Sequence, residues 1–222
     1  MKFENTEVWG FEHAIRGMRN PMESWDRSDS GYIDKRFNDL FYIGPNDMKL
    51  MKKLINAGPE HRKFLRQIFI SVDITAPLYW WKEFDTYKVG TVADSCSTMH
   101  KLKDTPITVE CFEMDDYDCC SDSNLGYLNN NPCADLDTYW YHTTKYMERL
   151  RQLYNETKDK RYWKELIRLL PESWLQKRTV TMSYENVANM YSQRMNHKLT
   201  EWSKDFIQWA DNLPYFKELF TV

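Results

Sequence analysis

The chain has 222 residues, a formal net charge of −3 and an aromatic share of 15% that includes 9 Trp and 14 Tyr. That length suits a single domain, 1–222, and the near-neutral charge offers no basic footprint for nucleic acid. Met1–Asn20 is polar and mixed in charge, no run approaches the ~20 apolar residues that span a membrane, and 5 cysteines without a secretory signal point to reduced thiols in a cytoplasmic protein.

Thr6–Arg19 reads as a helix with Val8, Phe11, Ile15 and Met18 near one face, ended by Pro21. Met22–Arg36, rich in Ser and Asp, reads as loop. Asp47–Ala57 is an amphipathic helix that Asp47 can cap and Gly58-Pro59 stops. Ile68, Ile70, Val72 and Ile74 alternate with Phe69, Ser71 and Asp73, which predicts a strand. Leu78–Tyr87 is aromatic and suits a helix. Lys88–Thr98 is small and hydroxylic with one Gly, which predicts a loop.

Asp104–Asp137 carries nine Asp or Glu and no Lys or Arg, and reads as an acidic insertion. Its cysteine spacing, C-x7-C-C-x12-C, matches no zinc pattern, so no metal is expected. Tyr139–Glu156 and Lys160–Leu170 read as helices, and Pro171-Glu172-Ser173 as a break. Thr181–Asp211 reads as one long helical tract interrupted near Asn196-His197. The whole predicts an α+β fold with an antiparallel or mixed sheet flanked by helices.

The chain has no G-x-G-x-x-G, P-loop or G-x-S-x-G, and its His residues include no H-x-x-x-H pair. Common hydrolases and dinucleotide-binding Rossmann enzymes are therefore disfavoured. The richest stretch is Ile74–Met99, ITAPLYWWKEFDTYKVGTVADSCSTM, which joins aromatic rings, carboxylates, Lys88 and a hydroxylic tail. Trp80 and Trp81 suit a core better than a ligand wall.

This stretch resembles the signature region of the flavin-dependent thymidylate synthases, where a strand leads through Ala-Pro to R-H-R-x-x-S. Ala76-Pro77 occupy the Ala-Pro, and Thr86-Tyr87-Lys88 then fall on R-H-R. Thr91 and Cys96 fall on Ser positions, Asp94 on a Glu, and Thr98 on the closing Arg. A second stretch is similar to the family's C-terminal region: Leu170-Pro171 precede it, Ser183 and Asn189 match flavin-contacting Asn positions, and Arg194 matches a nucleotide-contacting Arg. Gly58–Lys63 is similar to the Gly-His-Glu-Thr loop, with His61 on its His and Lys63 on its Thr.

The resemblance implies a thymidylate synthase-complementing-protein-like fold assembled as a homotetramer with sites between subunits. It implies reductive methylation of dUMP to dTMP, with methylenetetrahydrofolate, FAD and NADPH. It assigns Arg194 and Lys88 to catalysis. His61, Lys63, Tyr87, Lys88, Ser183, Asn189 and Lys198 would hold the flavin. Glu83, Thr86, Thr91, Asp94, Cys96, Ser97 and Arg194 would hold the nucleotide.

The departures concern charge. Thr86 and Thr98 are neutral where the family has Arg, and Glu185 reverses the charge of another. Arg168, Lys177, Arg178 and Lys198 are candidate replacements. A second reading is therefore a non-catalytic nucleotide- or flavin-binding relative, for instance a phage or viral one. A third is an interaction protein that uses its aromatic surface and acidic insertion. Each residue also has a plainer reading: Lys88 and Arg194 as ion-pair partners of Asp85, Asp94 or Glu201, and Asn189 as an interhelical hydrogen bond.

Overall fold

The computed structural model describes residues 1–34, 38–114 and 136–220. Most of the acidic insertion, with Cys119, Cys120 and Cys133, lies outside the described residues. In chain order the elements are β1 (Lys2–Trp9), α1 (Phe11–Arg19), β2 (Gly31–Asp34), β3 (Asn38–Tyr42), α2 (Pro45–Asn56) and β4 (Phe69–Pro77). Then come α3 (Leu78–Phe84), β5 (Val92–Ser95), α4 (Thr98–Lys101), α5 (Leu136–Thr157), α6 (Lys160–Arg168) and β6 (Leu175–Ser183). The chain continues through α7 (Tyr184–Arg194), a π-helical segment (Glu201–Phe206), α8 (Ile207–Asp211) and α9 (Phe216–Phe220). Four strands form one sheet in the order β1-β4-β6-β5, and β2 and β3 form an antiparallel pair. The fold is α+β, as the pattern of elements predicts. Among the described residues no helix is long and apolar enough to cross a membrane.

The residues divide into two compact units. One comprises Met1, Thr75–Asp85 and Ser95–Arg178; the other comprises Lys2–Ile74, Thr86–Asp94 and Thr179–Val222. The core of the first unit is built from Leu102, Ile107, Phe112, Met147, Leu150, Leu166 and Trp174. Trp80 and Trp81 are also fully buried, as their apolar bulk predicts; they pack on each other, and Trp80 stacks on Phe84 at 5.1 Å. In the second unit Ile68, Ile70, Val72 and Ile74 are all 0% exposed, so the alternation that predicts β4 is also its burial pattern.

Several expectations are corrected. Thr6–Arg19 is not one helix: β1 runs to Trp9, and Gly10 turns the chain at φ +101° before α1 begins. A side chain at Gly10 would collide with the Gln67 carbonyl, so both the turn and the close approach require glycine. Met22–Arg36 is not all loop, because Tyr32 pairs with Phe41 across the β2–β3 hairpin. Lys88–Thr98 contains β5, whose residues are all exposed and so carry no alternation to read. The helical tract does not begin at Thr181. Val180 and Met182 point inward on β6, and the helix starts only after Ser183, whose side chain forms a capping box with Asn186.

Asp47 does not cap α2; Gly44 holds that position. The Asp47 carboxylate is instead 0% exposed and ion-paired with Arg19 at 2.6 Å. It also accepts hydrogen bonds from the Ser28 and Ser30 hydroxyls, both at 2.7 Å, and from the Asp29 N–H at 3.1 Å. The Arg19 guanidinium donates onward to the Ser24 and Arg27 carbonyls. Burial raises the carboxyl's pKa, but the hydrogen bonds from Ser30, Ser28, Arg19 and Asp29 together hold it below the usual carboxylate value.

Removing one member of such a pair strands the other. Asp47→Ala is expected to cost about 3–5 kcal/mol, read from urea denaturation at pH 7. A depressed carboxyl contributes stability above its unfolded pKa of about 3.9 and loses it as pH falls through the folded value. The stability gap between wild type and Asp47→Asn should therefore narrow below about pH 4, measured by denaturation across an acid series.

Candidate functional site

The second unit holds an open cleft of about 640 Å³, and every residue lining it belongs to that unit. Its walls come chiefly from the 3-10 turn that precedes β4, the loop Thr86–Gly90, and α7 as far as Gln193. Each is tied to α7 by a polar contact. The capping box fixes the helix start, as the Ser183 hydroxyl donates to Asn186 Oδ1 at 2.6 Å. Asn186 Nδ2 then donates to the Val89 carbonyl at 2.9 Å, which holds the loop. Gly90 lies beyond it at φ +79°, a left-handed turn in which other residues are strained.

The third tie is ionic. Glu185, in the first turn of α7, is only 8% exposed. Its carboxylate accepts a short hydrogen bond from Arg66 Nε and a longer one from Arg66 Nη2, at 3.4 Å. Arg62 Nε lies 3.4 Å from the same carboxylate, and Arg62 Nη2 donates to Asn189 Oδ1 at 2.9 Å. Two guanidiniums thus face one carboxylate, which leaves one net positive charge. Arg66 is itself a cleft residue and its side chain is 55% exposed.

Of the residues the sequence singles out, Thr86, Tyr87, Ser183 and Asn189 line this cleft together. Tyr87 donates its hydroxyl to Gln193 at 3.0 Å, and its ring is one of two on which the Arg194 guanidinium stacks. The other is the buried Trp202 ring, 4.9 Å from the guanidinium carbon; the Tyr87 ring is 5.3 Å from it. Two rings thus face the Arg194 guanidinium, which follows the cleft residue Gln193 on α7. Trp202 stands in the π-helical segment beside Glu201, whose carboxyl burial pushes above its usual range. On α7 Tyr191 donates to Asp211 at 2.9 Å; burial and then that hydrogen bond push its phenol up to about 12, so it stays protonated.

The remaining residues lie elsewhere. Lys88 and Asp94 are exposed, and Thr91 closes a turn onto the Lys88 carbonyl. His61 and Lys198 are exposed, and Lys63 pairs with Glu60 at 3.7 Å. Glu83, Cys96 and Ser97 belong to the first unit, where Ser97 caps α4 and contacts His100 Nδ1 at 2.7 Å. Two candidate replacement cations are committed within that unit: Arg168 pairs with Glu165, and Arg178 pairs with Asp85 and covers the Trp81 ring. Sequence reasoning passed over Arg62 and Arg66. No local pattern marks them, because the carboxylate they share lies far along the chain.

The cleft combines aromatic surface from Phe69 and Tyr87 with amide and hydroxyl groups and one surplus cation. That donor set fits a planar, polar-edged ring bearing an anionic group. The fold matches two crystal structures of a flavin-dependent thymidylate synthase from Helicobacter pylori with FAD and dUMP, at TM-scores of 0.67 and 0.65. Each match is 17% identical in sequence and covers 100% of this chain and 98% of the other. No family model and no curated protein matches the sequence. The similarity is thus carried by the backbone over its full length: the chain has the fold of the flavin-dependent thymidylate synthases.

Proposed function

We propose that this chain binds FAD and a pyrimidine deoxynucleotide and catalyses reductive methylation of dUMP to dTMP. The observation that carries this reading is convergence. Tyr87, Ser183 and Asn189, assigned to the flavin from two stretches far apart in sequence, line one cleft. The solved neighbours hold FAD and dUMP, which supports the same ligand classes here.

In this reading Tyr87 and Phe69 supply apolar surface to a flavin ring and Asn189 hydrogen-bonds its polar edge. The Ser183 hydroxyl serves indirectly, by capping the helix that carries Asn189. Arg194, oriented by Tyr87 and Trp202, polarises or anchors the nucleotide. FAD, when bound, would supply the redox chemistry, so that the hydride of NADPH ends on the transferred carbon and makes it a methyl group. The one-carbon unit passes from methylenetetrahydrofolate to C5 of the uracil, the C5 proton is lost, and tetrahydrofolate and NADP⁺ leave. Assembly as a cytoplasmic homotetramer would bring Glu83, Cys96 and Ser97 of neighbouring chains to the nucleotide.

A non-catalytic binding protein is the second reading, favoured by the neutral Thr86 and Thr98, the latter engaged by Gln176 at 3.2 Å. Reconstitution separates these possibilities. Protein incubated with FAD and desalted should keep a visible flavin absorption band, and Asn189→Ala should weaken flavin binding about tenfold. A colourless product that also binds no dUMP would sink both readings. With NADPH, methylenetetrahydrofolate and dUMP, the wild type should form dTMP. Arg194→Ala should lower that turnover by about a hundredfold or more while retaining bound flavin. Flavin uptake without dTMP in the wild type would favour the binding protein.

A further inference from the structure

The charge the signature region lacks has a counterpart on another element. We infer that Arg66 is the phosphate-holding residue of the cleft and that Glu185 is its positioning residue. The inference rests on the flavin and nucleotide reading above and names a residue for its anionic group.

Four observations carry it. Arg66 lines the cleft and exposes more than half of its side chain there. Glu185 engages its Nε and Nη2 and so fixes the guanidinium plane. Among the described residues Nη1 makes no hydrogen bond, so it remains for a ligand together with the outer N–H of Nη2. Arg62 contributes a second positive charge to the same carboxylate, so Glu185 does not cancel the field of the pair. A phosphate placed against Arg66 would meet a fixed fork with a surplus cation behind it, the arrangement that favours charge-assisted, geometrically selective recognition. The other cleft polar groups, from Thr86, Tyr87, Asn186, Asn189 and Gln193, are neutral. They suit a heterocycle better than an anion.

Arg66→Ala leaves Glu185 paired with Arg62, so the substitution creates no orphaned buried charge and the fold should persist. The phosphate belongs either to the flavin cofactor or to the nucleotide, and paired ligands distinguish them. Binding of FAD, FMN and riboflavin, and of dUMP and deoxyuridine, is measured by calorimetry for wild type, Arg66→Ala and Arg66→Lys. The wild type should prefer the phosphorylated member of at least one set by about ten- to a hundredfold. Arg66→Ala should erase that preference for one set, leave riboflavin or deoxyuridine affinity within about twofold, and flatten the salt dependence; the set affected identifies the source. Arg66→Lys should keep part of the preference, because it keeps the charge and loses the fork. Glu185→Gln should lower the preference as well, since it loosens the guanidinium. A phosphate preference that survives Arg66→Ala in both sets overturns the assignment and leaves the proposed function standing. Equal loss for phosphorylated and unphosphorylated ligands also overturns it, as the mark of a merely structural role. Wild-type protein that binds none of the five overturns the reading of the cleft itself.

Discussion

The nearly buried Glu185 carboxylate is the constraint on which the cleft depends. A carboxylate withdrawn from water is costly unless it is paired and hydrogen-bonded. Here the compensation comes from Arg66, Arg62 and the N-terminal turn of α7, where a negative charge meets the positive end of the helix dipole. Each partner draws a different piece of chain toward the helix. The guanidiniums bring the turn before β4, and that turn sets where the most deeply buried strand of the second unit begins. Asn189, one helical turn after Glu185, takes the spare N–H of Arg62 and spreads the tie over two turns. With Asn186 holding the Val89 carbonyl, three walls are fixed by contacts made from a single helix. A cleft built this way can stay open without collapsing, because its shape is set by polar ties rather than by filling its volume.

That architecture explains what the sequence could and could not disclose. Local patterns survive translation into structure when one neighbour dominates each residue's environment. β4 alternates because one face is buried and the other is half-buried, and the paired Trp of α3 are buried against each other and Phe84, where large apolar rings are favoured. β5 offers no such signal, with four exposed residues at the end of the sheet order. β6 was legible in principle. Thr179-Val180-Thr181-Met182 alternates, and Ser183 with Asn186 is a helix-start signature, but the apolar spacing of α7 extends backward far enough to obscure it. Tyr87, Ser183 and Asn189 stand out in the sequence from two separated stretches, and they line one cleft. Arg62 and Arg66 do not stand out, because their partners lie 127 and 119 residues away and long-range ion pairs leave no local periodicity. Looking for missing cations at the positions of the signature region overlooks a charge that sits on a different element.

A similar economy governs the second unit's other buried ion pair. Arg19 and Asp47 are both nearly inaccessible, yet every strong acceptor and donor between them is used by Ser24, Arg27, Ser28, Asp29 or Ser30. The irregular stretch between α1 and β2 has little apolar content of its own, so this pair orders it. The two ionic clusters thus do different jobs. Arg19–Asp47 is closed, with its hydrogen-bonding capacity turned inward. The Glu185 cluster is asymmetric, with a second guanidinium that stands half in solvent. A purely structural ion pair has no need of the extra positive charge or of that exposure.

Arg194 shows why the difference matters for chemistry. Its guanidinium is held by stacking on Tyr87 and Trp202, which engages the faces of the plane, whereas hydrogen bonds use its edge. Contact with aromatic faces leaves the edge of the guanidinium as the part that hydrogen bonds use. Orientation by Glu185 costs Arg66 part of its field, and Arg62 makes up the deficit. Two arginines thus sit against this helix, one facing aromatic rings and one facing a carboxylate, and both depend on α7: the first through Arg194 at its last turn, the second through Glu185 at its first. The loop residue Tyr87 joins them, since its ring supports Arg194 while its edge forms cleft wall. A change that shifts this one helix would displace both cations at once, which couples the anion-binding end of the cleft to Arg194.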